Sequence, residues 1–294
     1  IAANTIMEPL FRLDAKQNLI PVLGLSATES PDGKFWTIQL RQGVQFHDGT
    51  PFNADAVIDH WQRMFDPDNK FRGRAALSVI ETVEKVADDT IRFHLQHAWL
   101  PFRRVITSTR NLINLIPSPK SVAQGTQNRA PVGTGPFRFE EWIAGDRFVV
   151  VKNPTYWNKS RPYLESIVFK PLPDSQTRFA ALKSGQLDLI WSDRGQIIQA
   201  AMQDPEIEVV QGDDNGAEIF ILNTAKPPLD DKTVRQALAY AHNQQRHVAM
   251  VYKGSIPMVH HPFGADVTCP DDGYRGYDPA KARQLLSGRS QPLQ

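Results

Sequence analysis

Residues 27–54 read A-T-E-S-P-D-G-K-F-W-T-I-Q-L-R-Q-G-V-Q-F-H-D-G-T-P-F-N-A. Within them Phe35, Thr37 and Gln39 alternate with Trp36, Ile38 and Leu40, and a period of two puts successive side chains on opposite faces of a strand. Asp32-Gly33 and Asp48-Gly49 bracket this segment. Glycine supplies the positive φ that tight hairpin turns require, so the stretch reads as a β-meander with one buried face. Asn53 then stands as a cap for a helix over residues 54–64.

Working outward, residues 8–10 and 19–27 read as a helix end and an entry loop. The first long helix stops at Asp66-Pro67-Asp68, and a second helical run covers 74–80. Residues 81–85 and 90–95 read as paired strands, and 101–108 as a helix. Residues 132–141 and 147–152 read as a hairpin, and 167–171 as a short strand. A helix over 175–184 closes at Gly185, a C-terminal glycine, and Leu187-Asp188-Leu189-Ile190-Trp191 reads as the strand after it. Residues 207–210 and 218–222 read as further strands. Pro227-Pro228 predicts an extended connection, a reasonable hinge. Asp230 or Asp231 caps the next helix, with Val234, Leu238 and Ala241 as its apolar stripe. Asp278 and Pro279 open the last helix in the two positions those residues favour. Hairpins mixed with helix–strand units argue an α/β architecture with a β-rich subdomain.

The chain has 294 residues, with 41% hydrophobic and 22% charged, the profile of a soluble globular protein. Thirty-three Lys and Arg against 32 Asp and Glu leave a net charge of +1, without the clustered basic excess of a nucleic-acid binder. No apolar run approaches a bilayer's span. No signal peptide is visible, and a mature or trimmed chain is expected. Cys269 is the single cysteine and reads as an incidental loop thiol. Gly133-Thr134-Gly135 lacks the Lys-Ser/Thr of a phosphate loop and reads as structural. There is no Gly-x-Ser-x-Gly elbow and no His-Glu-x-x-His motif.

The string 30–54, Ala130-Pro131-Val132-Gly133-Thr134-Gly135-Pro136-Phe137, Asn153-Pro154-Thr155-Tyr156-Trp157, and the strings 223–241 and 277–286 occur in this order. Together they resemble the family-5 extracytoplasmic solute-binding proteins that feed peptide and nickel ABC importers, over nearly the whole chain. The resemblance implies a type II periplasmic-binding-protein-like α/β fold: a mixed-sheet lobe with a β-rich subdomain, and an incomplete second lobe. Residues 1–222 are then lobe I, about 20–150 including the β-rich subdomain, and 223–294 are the hinge and the opening elements of lobe II. Family members carry a strand before the segment matching Glu8-Pro9-Leu10 and continue past the helix matching 278–286, so the chain is expected to be shortened at both ends.

Such proteins close two lobes over a ligand and present it to a permease. The nickel branch has an arginine at the point matching Arg110, anchoring a carboxylate of the chelator that carries the metal. The resemblance therefore implies that Arg110 faces the cleft; a surface loop arginine is the alternative. Arg72 and Arg74 lie where that branch has an arginine followed by an aromatic residue, with solvated loop charge as the alternative. Trp191, at the end of its expected strand, reads either as a stacking surface for ligand or as a core indole. Arg103 and Arg104 read as a solvated helix face, and His47 as structural. His242 and His247 are five apart, a poor spacing for one helix face, and His260-His261 would point to opposite sides if extended; direct metal coordination is not expected. The reading expects no catalytic residue, no cofactor, a peptide or nickel chelate as ligand, an ABC permease as partner, no nucleic acid, a monomer, and a periplasmic or membrane-anchored lipoprotein location. The alternatives are a metal-dependent hydrolase using His260, His261 and Asp266, and a ligand-sensing or interaction module on the same fold.

Overall fold

The strand read from alternation forms at Phe35–Leu40, with Trp36, Ile38 and Leu40 buried and the intervening residues only partly so. The computed structural model describes residues 2–14, 16, 18–69, 71, 73–107, 113–210, 219–254, 256, 258–260 and 273–287. Its strands are β1 (Phe11–Leu13), β2 (Leu19–Pro21), β3 (Gly24–Glu29), β4 (Phe35–Leu40), β5 (Ile80–Ala87), β6 (Thr90–Leu95), β7 (Phe137–Ile143), β8 (Arg147–Lys152) and β9 (Ser166–Phe169). Its helices are α1 (Ala3–Ile6), α2 (Ala54–Phe65), α3 (Phe102–Val105), α4 (Pro119–Ala123), α5 (Ser175–Lys183), α6 (Gly195–Met202), α7 (Lys232–Ala241), α8 (Gln244–His247) and α9 (Pro279–Leu286). The chain divides into two compact units, Ile1–Pro171 and Leu172–Gln294.

In the first unit an antiparallel sheet runs in the order β3-β4-β6-β5. Gly33, at φ +67°, turns the chain between β3 and β4. The meander continues differently from the sequence reading. β4 takes its second partner from β6, and residues 41–52 make only a bridge between Gln45 and Pro51. Residues 24–27, read as entry loop, belong to β3, the first strand of this sheet.

Asn53 caps α2 as expected, its side chain accepting from the Ala56 amide at 3.1 Å. Ala56, Val57, His60, Trp61 and Met64 are buried on α2 at helical spacing. Trp61 meets Phe93 edge-on at 5.0 Å, Phe93 meets Phe102 at 5.1 Å, and Phe102 meets Trp36 at 5.4 Å. This aromatic chain ties α2, β6, α3 and β4 together. Each such ring contributes about 2–3 kcal/mol through burial alone. Residues 74–80 do not make an α-helix: a single 3-10 turn, Arg74–Leu77, passes into β5 at Ile80.

The expected hairpin forms as β7 and β8, starting at Phe137, and β9 adds a third strand. A second cluster of Ile6, Met7, Leu115, Phe137 and Val150 fills the space beside it.

The second unit is built on helices. α5 is capped by Asp174 and closed by Gly185 at φ +72°. Asp231 caps α7 through the Thr233 amide, at 2.8 Å. The buried stripe of α7 is Val234 and Ala237, whereas Leu238 and Ala241 are exposed. α7 packs against α9, which Asp278 caps through the Lys281 amide. At the start of α6 a Cβ on Gly195 would lie 2.5 Å from the Tyr252 backbone, so glycine permits that close approach.

Two sets of sequence expectations differ here, the strands after α5 and the extended connection before α7. Residues 187–191 and 207–210 are irregular, as are the described residues 219–222. They carry strand-like composition, but a strand also needs a ladder for its amides and carbonyls, and no neighbour among the described residues supplies one. Residues 224–230 coil in turns instead of extending, with the Leu229 and Asp230 amides both donating to the Lys226 carbonyl at 3.0 Å. α5 and α6 belong to the second compact unit.

Candidate functional site

The first unit contains one deeply buried carboxylate cluster. Glu8 is only 1% exposed. Its Oε1 accepts from the Tyr156 hydroxyl at 2.6 Å, and its Oε2 accepts from Trp157 Nε1 at 2.9 Å and Thr134 Oγ1 at 3.0 Å. Arg41 lies over the Trp157 ring, 4.1 Å from its centroid. Burial raises the Glu8 pKa above the ordinary carboxylate value and outweighs the three donors that lower it. The same burial, with the neighbouring Glu8 charge, raises the Tyr156 hydroxyl.

Beside it, Gly133 and Gly135 wrap around the end of α1. A Cβ on Gly133 would stand 2.2 Å from the Ile6 carbonyl oxygen, and one on Gly135 would stand 2.6 Å from the carbonyl oxygens of Ile6 and Thr5. The Gly135 amide donates to Ile6 O at 2.8 Å. The Gly-Thr-Gly turn is thus a close backbone crossing, which explains the glycines without any phosphate. Gly133→Ala should destabilise the first unit by about 2–3 kcal/mol, since overpacking against backbone cannot relax by a side-chain rotation. Urea denaturation measures this, and an unchanged midpoint would contradict it.

His47 bolts this turn to the meander. Its Nε2 donates to Gly135 O at 2.9 Å, and its Nδ1 accepts from the Gly133 amide at 3.4 Å. Burial lowers its pKa to about 4. Asp48 accepts from Ser118 Oγ and from Thr50 Oγ1, the latter at 2.6 Å, tying the second Asp-Gly turn to the start of α4. These donors hold the Asp48 carboxyl below its usual range although burial opposes them.

The residues singled out as ligand contacts fall elsewhere. Arg74 is exposed at the start of its 3-10 turn. Trp191 is 64% exposed in the irregular segment before α6; it is not a core indole, because the strand that would have carried it inward does not form. Leu189, Phe220 and Ile221 in the same unit are also exposed. Arg72 and Arg110 lie outside the described residues, as do His261, Asp266 and Cys269.

His260 stacks on Tyr274 with ring centroids 3.9 Å apart. His242 and His247 meet at 5.3 Å, because the helix breaks between α7 and α8, and Phe220 packs 5.3 Å from His242. The one-helix reading of that pair missed this break. Among the described residues no group of three His, Cys, Asp or Glu side chains is placed to hold a metal ion, and no helix is long and apolar enough to cross a membrane.

Residues 18–288 match the family model described as bacterial extracellular solute-binding proteins, family 5 Middle. The chain belongs to this family. It is 30% identical to a glutathione-binding protein of Pectobacterium atrosepticum over 99% of its own length, and 30% identical to the nickel-binding periplasmic protein of Escherichia coli over 97%. It spans 56% of the length of each of these relatives. Among solved structures it is similar to a Helicobacter pylori ABC transporter-associated periplasmic binding protein in complex with the peptide STSA. That match has a TM-score of 0.83 at 27% identity, covering 97% of this chain and 60% of that one. The α/β, type II periplasmic-binding-protein fold expected from the sequence is therefore the fold of this family-5 chain.

Three of the strings that carry the resemblance meet in the Glu8 and His47 clusters: the 30–54 signature through His47, the 130–137 segment through Gly133, Thr134 and Gly135, and the 153–157 segment through Tyr156 and Trp157. In this family-5 chain they fasten the segments beside α1, β7 and β8 to each other and to the loop after β4 through buried and part-buried hydrogen bonds. Sequence reasoning passed over Glu8 as a buried anion. Its one local signal is a carboxylate set among the apolar residues Ile6, Met7, Pro9 and Leu10.

Proposed function

We propose that this chain belongs to the substrate-binding component of an ABC importer, which captures a small peptide or a nickel chelate between two lobes and delivers it to the membrane permease. The observation that carries this reading is the agreement in fold with a peptide-bound periplasmic binding protein along 97% of the chain. The relatives named for glutathione and for nickel support the same two ligand classes. In this reading the protein works as a monomer in the periplasm or as an extracellular lipoprotein, holds no cofactor and performs no catalysis. Residues 1–222 belong to lobe I, and residues 223–294 are the hinge and the opening elements of lobe II.

Both ligand classes present free carboxylates, and a guanidinium meets a carboxylate with two parallel hydrogen bonds. By its place in the sequence, after the polar residues Thr107, Ser108 and Thr109, Arg110 is the proposed anchor, with Arg72, Arg74 and the exposed Trp191 as further contacts. Arg110→Ala in the natural full-length protein should weaken ligand binding about 100-fold, the loss of a bidentate charged contact. The companion test is uptake. Cells lacking the gene should lose import of labelled dipeptide or radiolabelled nickel, and the Arg110→Ala gene should fail to restore it. Restoration at the parental rate would remove Arg110 from the site, and unchanged import of both solutes without the gene would remove the function.

A further inference from the structure

An open cavity of about 430 Å³ lies within the first unit, a volume in the range of small-molecule sites. Arg63, from the last turn of α2, and Arg129 both line it, and among the described residues no carboxylate does. Arg63 is half-buried, and its Nε is shut off from solvent with no hydrogen-bond partner among the described residues. Arg129 is exposed, with its guanidinium 5.0 Å from the Trp142 ring centroid. Met64, Phe71, Leu115 and Trp142 supply apolar wall.

A buried N–H without a partner costs free energy that a bound acceptor recovers. Two guanidinium groups without an opposing carboxylate among the described residues favour a negative charge, and their planar forks pair with a carboxylate or a phosphate through two parallel hydrogen bonds. The walls suit a flat or branched apolar body next to that charge.

We propose that this cavity is a second binding site, for a small carboxylate with an aromatic or branched aliphatic body, held by Arg63 and Arg129 and packed beside Trp142. It stands on the first unit alone and does not rest on the transport reading.

The test is a titration of the natural full-length protein with 3-phenylpropionate, followed by tryptophan fluorescence and by melting temperature. The neutral 3-phenylpropanamide serves as the control. The acid is expected to bind saturably and to raise the melting temperature, with the amide about tenfold weaker or worse. Arg63→Gln and Arg129→Gln should each weaken the acid about tenfold. Arg63→Lys retains the charge and the α2 packing but loses the planar fork, so it should also weaken binding while the protein still melts cooperatively. That variant keeps the test valid if Arg63→Gln fails to fold. No saturable binding of the acid, equal binding of acid and amide, or parental affinity in either the Arg63→Lys or the Arg129→Gln protein would overturn the proposal.

Discussion

Replacing Glu8 with alanine should cost the first unit about 3–5 kcal/mol, because the change orphans two buried donors and one part-buried donor as well as deleting their three hydrogen bonds. Thr134 is buried completely and Tyr156 nearly so, so neither hydroxyl has water to turn to. Glu8→Gln keeps the shape but points an amide N–H₂ at one of the donors, and should cost less. The pH dependence separates the two effects. Burial raises the Glu8 pKa in the fold, so the folded chain holds this proton more tightly than the unfolded one. Its contribution to stability is fully present below the ordinary carboxylate value and is lost as pH rises through the raised value. Glu8→Gln should abolish that component. Urea unfolding across pH reads both results, and a Glu8→Ala protein as stable as the parent would show that the cluster does not fasten residues 134, 156 and 157 to the segment before β1.

Acid should unfold the first unit through buried His60 and part-buried His47, both neutral in the fold. His60 is fully buried on α2, where Nε2 donates to the Ile113 carbonyl at 2.6 Å. Desolvation lowers its pKa to about 4, as it does for His47. For His47 the geometry adds a direct reason. A proton on Nδ1 would face the Gly133 N–H that now donates to it. Unfolded histidine titrates near 6.5, so between about pH 6.5 and about pH 4 the unfolded chain takes up protons that the fold refuses. Stability is full above that window and falls as pH drops through it, by about 2–3 kcal/mol per histidine. This runs opposite in sign to the Glu8 component. His47→Asn should flatten part of the acid limb while lowering stability at neutral pH. An acid limb unchanged in both His47→Asn and His60→Asn proteins would contradict the assignment.

The features legible in the sequence are those whose physics is local. Asn53, Asp231 and Asp278 cap their helices because a short acceptor side chain reaches an amide two or three residues ahead. Gly185 ends α5 at a positive φ that its lack of Cβ permits. Alternation set the buried face of β4. What escaped depends on distant partners. Glu8 meets Tyr156 and Trp157 nearly half the chain away, and no spacing rule links them. β4 could have paired with the residues after it, but the register with β6 won. Leu187–Trp191 and 207–210 have the composition of strands without a ladder, so composition alone misled. The candidate ligand site was legible only through family resemblance: Arg74 and Trp191 are exposed, and neither burial nor local geometry singles them out.

The most direct measurement of the central claim is a calorimetric titration of the natural full-length protein with a panel of dipeptides and with nickel–histidine. The account predicts saturable one-to-one binding of one of these classes, weakened by Arg110→Ala and unaffected by Arg129→Gln. A correctly folded protein that takes up neither class at millimolar concentration would contradict it.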